Sequence, residues 1–193
     1  MSLEALLTEV RACTLCTDLP LGPNPLVQAG EGARILIAGQ APGRITHHKD
    51  RPFDDPSGNR LRDWLGISRE TFYDPEQVAV LAMGFCYPGT GKGGDLPPRP
   101  ICAATWRARL ISALPNLKLT LVIGQYAQGW HLPDLIKHTL TARVRQQDAA
   151  TSPVIALPHP SPRNGIWLKA NPWFADEILP VLRQRVKRAL DQG

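Results

Sequence analysis

The sequence predicts an α/β fold: a three-layer α/β/α arrangement around a central four-stranded parallel sheet. Three observations carry this expectation. Four short apolar runs recur along the chain, at 34–39, 78–83, 119–124 and 154–157. Continuous rather than alternating hydrophobicity marks strands buried on both faces, as parallel strands are. Segments of helical periodicity lie between and after the runs, at about 59–66, 102–114, 126–138 and 172–190. Glycine and proline then cluster after each run, at 39–58, 84–100, 124–126 and 158–167. Those are the strand-end loops, where an α/β sheet binds its ligands.

Each element has its own warrant. Leu3, Leu6, Leu7 and Val10 share one helical face, and Ser2 is placed to cap that helix. Ile35-Leu36-Ile37-Ala38 ends in Gly39, which suits a buried strand. The runs at 78–83, 119–124 and 154–157 read the same way. Pro180 lacks an N–H and must either kink or restart the last helix. Trp167, Trp173 and Phe174 read as core. The 193 residues suit one domain, 1–193, with long ordered loops holding much of the 19 prolines and 16 glycines.

Composition excludes several classes. A hydrophobic fraction of 43% with 20% charged residues is not that of a disordered chain. No apolar run approaches the roughly 20 residues of a membrane span, so no membrane association is expected. The start, Met1-Ser2-Leu3-Glu4, has no basic region ahead of an apolar one. A cytoplasmic location, with reduced thiols, is therefore expected. The 22 basic and 17 acidic residues leave +5, a mild excess that permits an anionic partner without requiring one.

The four cysteines fall in two pairs. Cys13-Thr14-Leu15-Cys16 is a C-x2-C turn after the first helix, and Cys86 and Cys102 bound the long loop after the second strand. Two thiolates at C-x2-C spacing reach one metal centre from a single turn. A lone buried cysteine needs no such explanation, but two pairs favour a shared site. Spacing alone leaves an all-thiolate zinc site and a [4Fe–4S] cluster both open. A redox dithiol is disfavoured, since Cys13 does not follow a strand of a βαβ unit.

Two strand-end loops carry the remaining motifs. The first reads Gly39-Gln40-Ala41-Pro42-Gly43-Arg44 and then Arg51-Pro52-Phe53-Asp54-Asp55-Pro56-Ser57-Gly58; the last reads His159-Pro160-Ser161-Pro162-Arg163-Asn164. Together they resemble the G-x-x-P-G and H-P-S-P signatures of the uracil-DNA glycosylase superfamily. The cysteine order resembles its iron–sulfur branches, families four and five. The resemblance runs from Cys13 to Asn164 with strands and motifs in matching order. It implies a uracil-DNA glycosylase-like fold and a [4Fe–4S] cluster on Cys13, Cys16, Cys86 and Cys102. It also implies a monofunctional, hydrolytic DNA repair enzyme, acting as a monomer on DNA that holds uracil or other deaminated bases.

The resemblance assigns roles that the chemistry of each side chain suits. A glycosylase flips its base out of the stack and breaks the bond from sugar to base nitrogen, through a cationic sugar and an anionic base. His159 is the expected donor to the base carbonyl. Phe53 is expected to stack on the base, with the backbone N–H groups of Gln40 and Ala41 pointing into the pocket. Arg44, Lys92, Ser161, Pro162, Arg163 and Asn164 are expected against DNA. Lys92 lies in Gly89-Thr90-Gly91-Lys92-Gly93-Gly94, which lacks the spacing of a nucleotide-binding P-loop. His47 and His48 read as a solvated loop.

Three departures mark this chain. Family four carries a glutamate where Gln40 stands, and the best-known family an aspartate where Ala41 stands; neither residue can act as a base. Family five uses an aspartate in a D-x-S-G segment, which assigns the catalytic carboxylate to Asp55, with Asp54 the alternative. Either aspartate could instead be a helix N-cap. Ala82 occupies the place of the asparagine that reads uracil in family four, which implies a broader pocket. A second expectation follows from these departures: a member with altered chemistry that binds or covalently traps uracil DNA.

Overall fold

The structure, a computed structural model, describes residues 2–191; the outermost residues of the expected 1–193 domain lie outside the described residues. All four apolar runs form strands. In chain order the strands are β1 (Ile35–Ala38), β2 (Val78–Val80), β3 (Thr90–Gly91), β4 (Gly94–Asp95), β5 (Leu119–Ile123) and β6 (Val154–Leu157). The expected strands β1, β2, β5 and β6 make one parallel sheet in the order β2-β1-β5-β6. Ile35 is in register with Val78 on one side and Leu119 on the other. β3 and β4 form a small antiparallel hairpin in the loop after β2.

The helices are α1 (Leu3–Arg11), α2 (Arg44–Lys49), α3 (Pro56–Leu65), α4 (Arg69–Tyr73), α5 (Pro100–Cys102), α6 (Ala108–Ser112), α7 (Gly124–His131), α8 (Leu140–Gln146), α9 (Gly165–Ala170) and α10 (Leu179–Asp191). They form the two outer layers. Successive residues of β1 face opposite sides, so Ile35 and Ile37 join a core with Leu61, Leu65, Leu182 and Val186 of α3 and α10. Leu36 joins the other core, with Leu3, Leu6, Leu7 and Val10 of α1 and Leu110 of α6. Burying each such side chain contributes about 1.5–3 kcal/mol, which is why β1 is apolar at every position. Ser2 caps α1 as expected, accepting from the Ala5 N–H at 3.2 Å.

The boundaries differ where a local group intervenes. The second strand stops at Val80; beyond it the carbonyls of Leu81 and Ala82 accept from the buried Arg107 guanidinium at 2.8 and 3.0 Å. The helix expected at 126–138 starts at Gly124 and ends at His131, with Pro133 opening a separate 3-10 turn. The helix expected at 102–114 begins at Pro100 and widens to a π-turn over Ala103–Arg107. A second π-turn, Phe174–Ile178, runs without a break into α10, so Pro180 stands where the wider turn passes into the α-helix. The short helices α2, α4, α8 and α9 have too few turns to show a period in sequence. Trp167 and Trp173 pack edge-on against buried Phe174, in the core as expected. Among the described residues, no helix is long and apolar enough to cross a membrane.

Candidate active site

The loops after β1, β2 and β6 meet at the carboxyl ends of the sheet around a cavity of about 480 Å³. That is a small-molecule volume, within the range of ligand pockets. The cavity brings together Gln40, Ala41, Arg44, Phe53, Asp55, His159, Ser161, Pro162 and Arg163 from the expected set. Lys92 is exposed on the turn between β3 and β4 and does not line it. Asn164 also lies outside the lining; its side-chain amide donates to the His159 carbonyl at 3.0 Å and braces that loop from behind. Thr90 and Asp95 of the hairpin complete the wall, and the sequence reading had not singled them out.

Phe53 owes its place to its backbone. Its φ is 56°, the left-handed region that a non-glycine residue enters at a cost. The turn is held by its neighbours. The Tyr73 hydroxyl donates to the Pro52 carbonyl at 3.0 Å, and the Phe53 carbonyl is pressed onto Gly58. A Cβ at Gly58 would lie 1.7 Å from that oxygen, so only glycine fits. The Phe53 ring then rests over Gly39 at the end of β1, where a Cβ would meet the ring at 3.3 Å. Behind it the ring stands edge-on to Phe72 at 6.1 Å. Phe53 is thus both a packed residue and the apolar wall of the cavity.

Asp55 lines the cavity and caps α3 together: Oδ1 accepts the Gly58 N–H at 2.8 Å. One carboxylate oxygen orients the group and Oδ2 remains available. Asp54 does not line the cavity. It is held by Arg69 through two bonds of 3.0 and 3.1 Å, with Lys49 at 3.7 Å. The Arg69 hydrogen bond holds the Asp54 carboxyl below the usual carboxylate range.

His159 follows β6 and faces Asp55 and Asp95. Burial pushes its pKa below the usual histidine value, and the two carboxylates oppose that shift. The Ser161 N–H donates to His159 Nδ1 at 3.1 Å, so the neutral ring carries its proton on Nε2. Arg60 of α3 donates to the Ser161 carbonyl at 2.9 Å, tying the Asp55 helix to the His159 loop. On the first loop, the Gln40 amide donates to the Leu96 carbonyl at 2.9 Å and is committed to the hairpin. The N–H groups of Gln40 and Ala41 donate to no backbone carbonyl among the described residues. His47 is packed beside Tyr87 and His48, with its Nδ1 buried and unpartnered.

The four thiols meet elsewhere. Cys13, Cys16, Cys86 and Cys102 line one small cavity with Leu15, Leu19, Phe85, Ile101 and Trp106. It lies by the α1 layer: Cys13 and Cys102 pack against the core that α1 shares with Leu110. Arg99 pairs with Asp18 at 2.8 Å and ties the C-x2-C turn to the loop after β2. Burial raises the Cys102 thiol to about 12, and the other thiols add to the shift.

Four thiols are a donor set of the kind that zinc sites and iron–sulfur clusters both use. Among the described residues, no group of three or more His, Cys, Asp or Glu is placed to hold a metal ion. All four cysteines nevertheless line one cavity, as a shared site requires. Its wall is apolar, the Phe85 N–H donates to Cys102 Sγ at 3.3 Å, and Trp106 Nε1 is buried without a partner. Such hydrogen bonds to ligand sulfur tune iron–sulfur clusters.

Sheet order and strand-end cavity define a class: an α/β/α domain with a small-molecule cleft at the carboxyl ends of its parallel strands. The sequence model of the uracil DNA glycosylase superfamily matches residues 27–183, and the chain belongs to that superfamily. A solution NMR structure from Methanosarcina acetivorans, described as a "putative Uracil DNA glycosylase", is also similar. It shares 17% identity over 83% of this chain and 98% of that one, with a TM-score of 0.48.

Proposed function

We propose that this protein excises uracil from DNA, and other deaminated bases by the same route, and leaves an abasic site. The observation that carries the reading is the convergence of Phe53, Asp55 and His159 on one cavity. A base flipped into it would stack on the Phe53 ring. The neutral His159 ring would donate Nε2–H to the base carbonyl oxygen, with the free N–H groups of Gln40 and Ala41 as further donors. These donors stabilise the base as it departs with the electron pair of the glycosidic bond. Asp55 Oδ2 would take a proton from a water that attacks the sugar carbon, and its charge would favour the cationic sugar. Water thus supplies the new hydroxyl, and the base leaves as an anion that solvent later protonates. Arg44 and Arg163, at the rim, suit DNA phosphates.

We further propose that Cys13, Cys16, Cys86 and Cys102 hold a [4Fe–4S] cluster, as in the iron–sulfur branches. When bound, the cluster would tie α1, the C-x2-C turn and the loop after β2 into one unit. It takes no part in the hydrolysis.

The test is a panel of oligonucleotides with uracil, hypoxanthine or xanthine, single- and double-stranded, scored for alkali-labile cleavage. Release that falls with Asp55→Asn and with His159→Ala is expected. Folded, cluster-loaded protein that releases no deaminated base overturns the hydrolytic reading. Binding without release, or an adduct that survives denaturation, would favour the altered-chemistry alternative suggested by Gln40 and Ala41.

A further inference from the structure

Of the two carboxylates that line the cavity, the proposed chemistry uses only Asp55. Asp95, on β4, lines the wall beside Thr90. Its Oδ1 accepts from the Thr90 hydroxyl at 3.2 Å, and that hydroxyl is itself held by buried Tyr87 at 2.5 Å. Its Oδ2 is turned toward the first loop, 3.5 Å from where a Cβ on Gly43 would stand. No cation pairs with Asp95 among the described residues. In the same lining Ala82 offers only a methyl, and the Gln40 NH2 donates to the hairpin backbone.

We propose that Asp95 reads the flipped base, its free oxygen accepting a hydrogen bond from the ring N–H beside a base carbonyl. The inference rests on the base-binding reading of the cavity and names its substrate class: bases whose Watson–Crick edge carries a lactam N–H. A carboxylate accepts and does not donate. Uracil presents N3–H and hypoxanthine N1–H, whereas cytosine and adenine present a lone pair at the same ring position. An acceptor facing that position attracts the deaminated base and repels its parent. Thymine, guanine and xanthine share the N–H, so this contact separates uracil from cytosine and hypoxanthine from adenine. His159, which lines the same cavity, supplies the complementary donor to the carbonyl. A site built to hold a polar group discriminates strongly against an analogue that lacks it.

The test uses oligonucleotides with 2′-fluoro-2′-deoxyuridine or its N3-methyl derivative, and measures binding, so no bond need break. The full-length protein should prefer the unmethylated base by on the order of tenfold or more, the worth of a hydrogen bond to a charged group. Asp95→Ala should bring that ratio close to one. If Asp95→Ala does not fold, Thr90→Val, which frees the carboxylate to swing, should lower the ratio. An unchanged ratio in the folded variants, or no preference in the parent protein, overturns the assignment. Base release is scored in parallel on the 2′-deoxy substrate. A ratio that collapses without any release keeps the assignment and removes the hydrolytic reading; release with an unmoved ratio does the reverse.

Discussion

Gly58→Ala tests the geometry of the cavity wall through the sign of its effect. Gly58 lies in the first turn of α3, where alanine is the better helix former. Local propensity and unfolded-chain entropy therefore predict a gain of about 0.4–1 kcal/mol. The packing predicts the opposite. An ideal Cβ would stand 1.7 Å from the Phe53 carbonyl oxygen, 2.6 Å from its carbon and 3.0 Å from Phe53 Cβ. Reaching even the 3.0 Å limit of real contacts needs 3.0 − 1.7 = 1.3 Å of movement by backbone, which has no rotamer to escape into. Overpacking of this kind costs about 1–3 kcal/mol or more. At about 2–4 °C per kcal/mol for a chain of this size, a loss of about 3 kcal/mol lowers Tm by about 6–12 °C. The same shift carries the Phe53 ring off Gly39. A displacement of about 1 Å at a reacting centre can cost about 100-fold in rate. Thermal melts followed by circular dichroism, with single-turnover uracil release at a temperature where both proteins are folded, measure the two effects. An equal or higher Tm with unchanged release would refute the claim that Gly58 is glycine because of Phe53.

Other expectations follow from the same geometry. Asp55→Asn keeps a good cap for the Gly58 N–H and should melt within a degree or two of the parent while losing about 100-fold or more of its release rate. Asp55→Ala should lose the rate and about 1 kcal/mol of stability as well. Burial keeps His159 neutral below the usual histidine pKa, so release should persist as pH falls past 6.5. It should decline only lower, where a proton on Nδ1 would break the bond from the Ser161 N–H; a decline centred at or above 6.5 would refute this. Burial and the adjacent Arg107 hold His131 to about 3, so the unfolded chain takes up a proton that the folded one refuses. Its contribution is complete above 6.5 and is lost as pH falls from there toward about 3. His131→Gln should therefore flatten the fall of Tm between pH 7 and 4, and an unchanged slope would contradict the assignment. Anaerobically purified protein should be brown with about four iron atoms per chain, and Cys102→Ala should bleach it; a colourless parent holding zinc would exclude the cluster.

The α/β class and the four main strands were legible because burial on both faces leaves no room for polar residues in β1, and the neighbouring runs repeat that pattern. The α1 face and its Ser2 cap were legible because both depend on residues a few positions apart. Glycine and proline marked the loops correctly, since these residues answer to local backbone geometry. The sequence also carried the signature segments, and with them Asp55 and His159 as candidates. By resemblance it favoured Asp55 over Asp54, but it could not show which of the two faces the cavity. The structure shows Arg69 engaging Asp54 across 15 residues, away from the cavity, while Asp55 lines the cavity and accepts the Gly58 N–H. Nor could the sequence show that Gly58 answers to the Phe53 carbonyl, that the Gln40 amide is spent on the hairpin, or that Asp95 faces His159. Each of these is a contact between loops remote in sequence, and no local period or propensity encodes it. The sheet brings such loops together at the ends of its strands. The residue types present were thus determined by the sequence, whereas the side that each carboxylate faces was decided by the tertiary fold, because a side chain's direction depends on partners that only folding supplies.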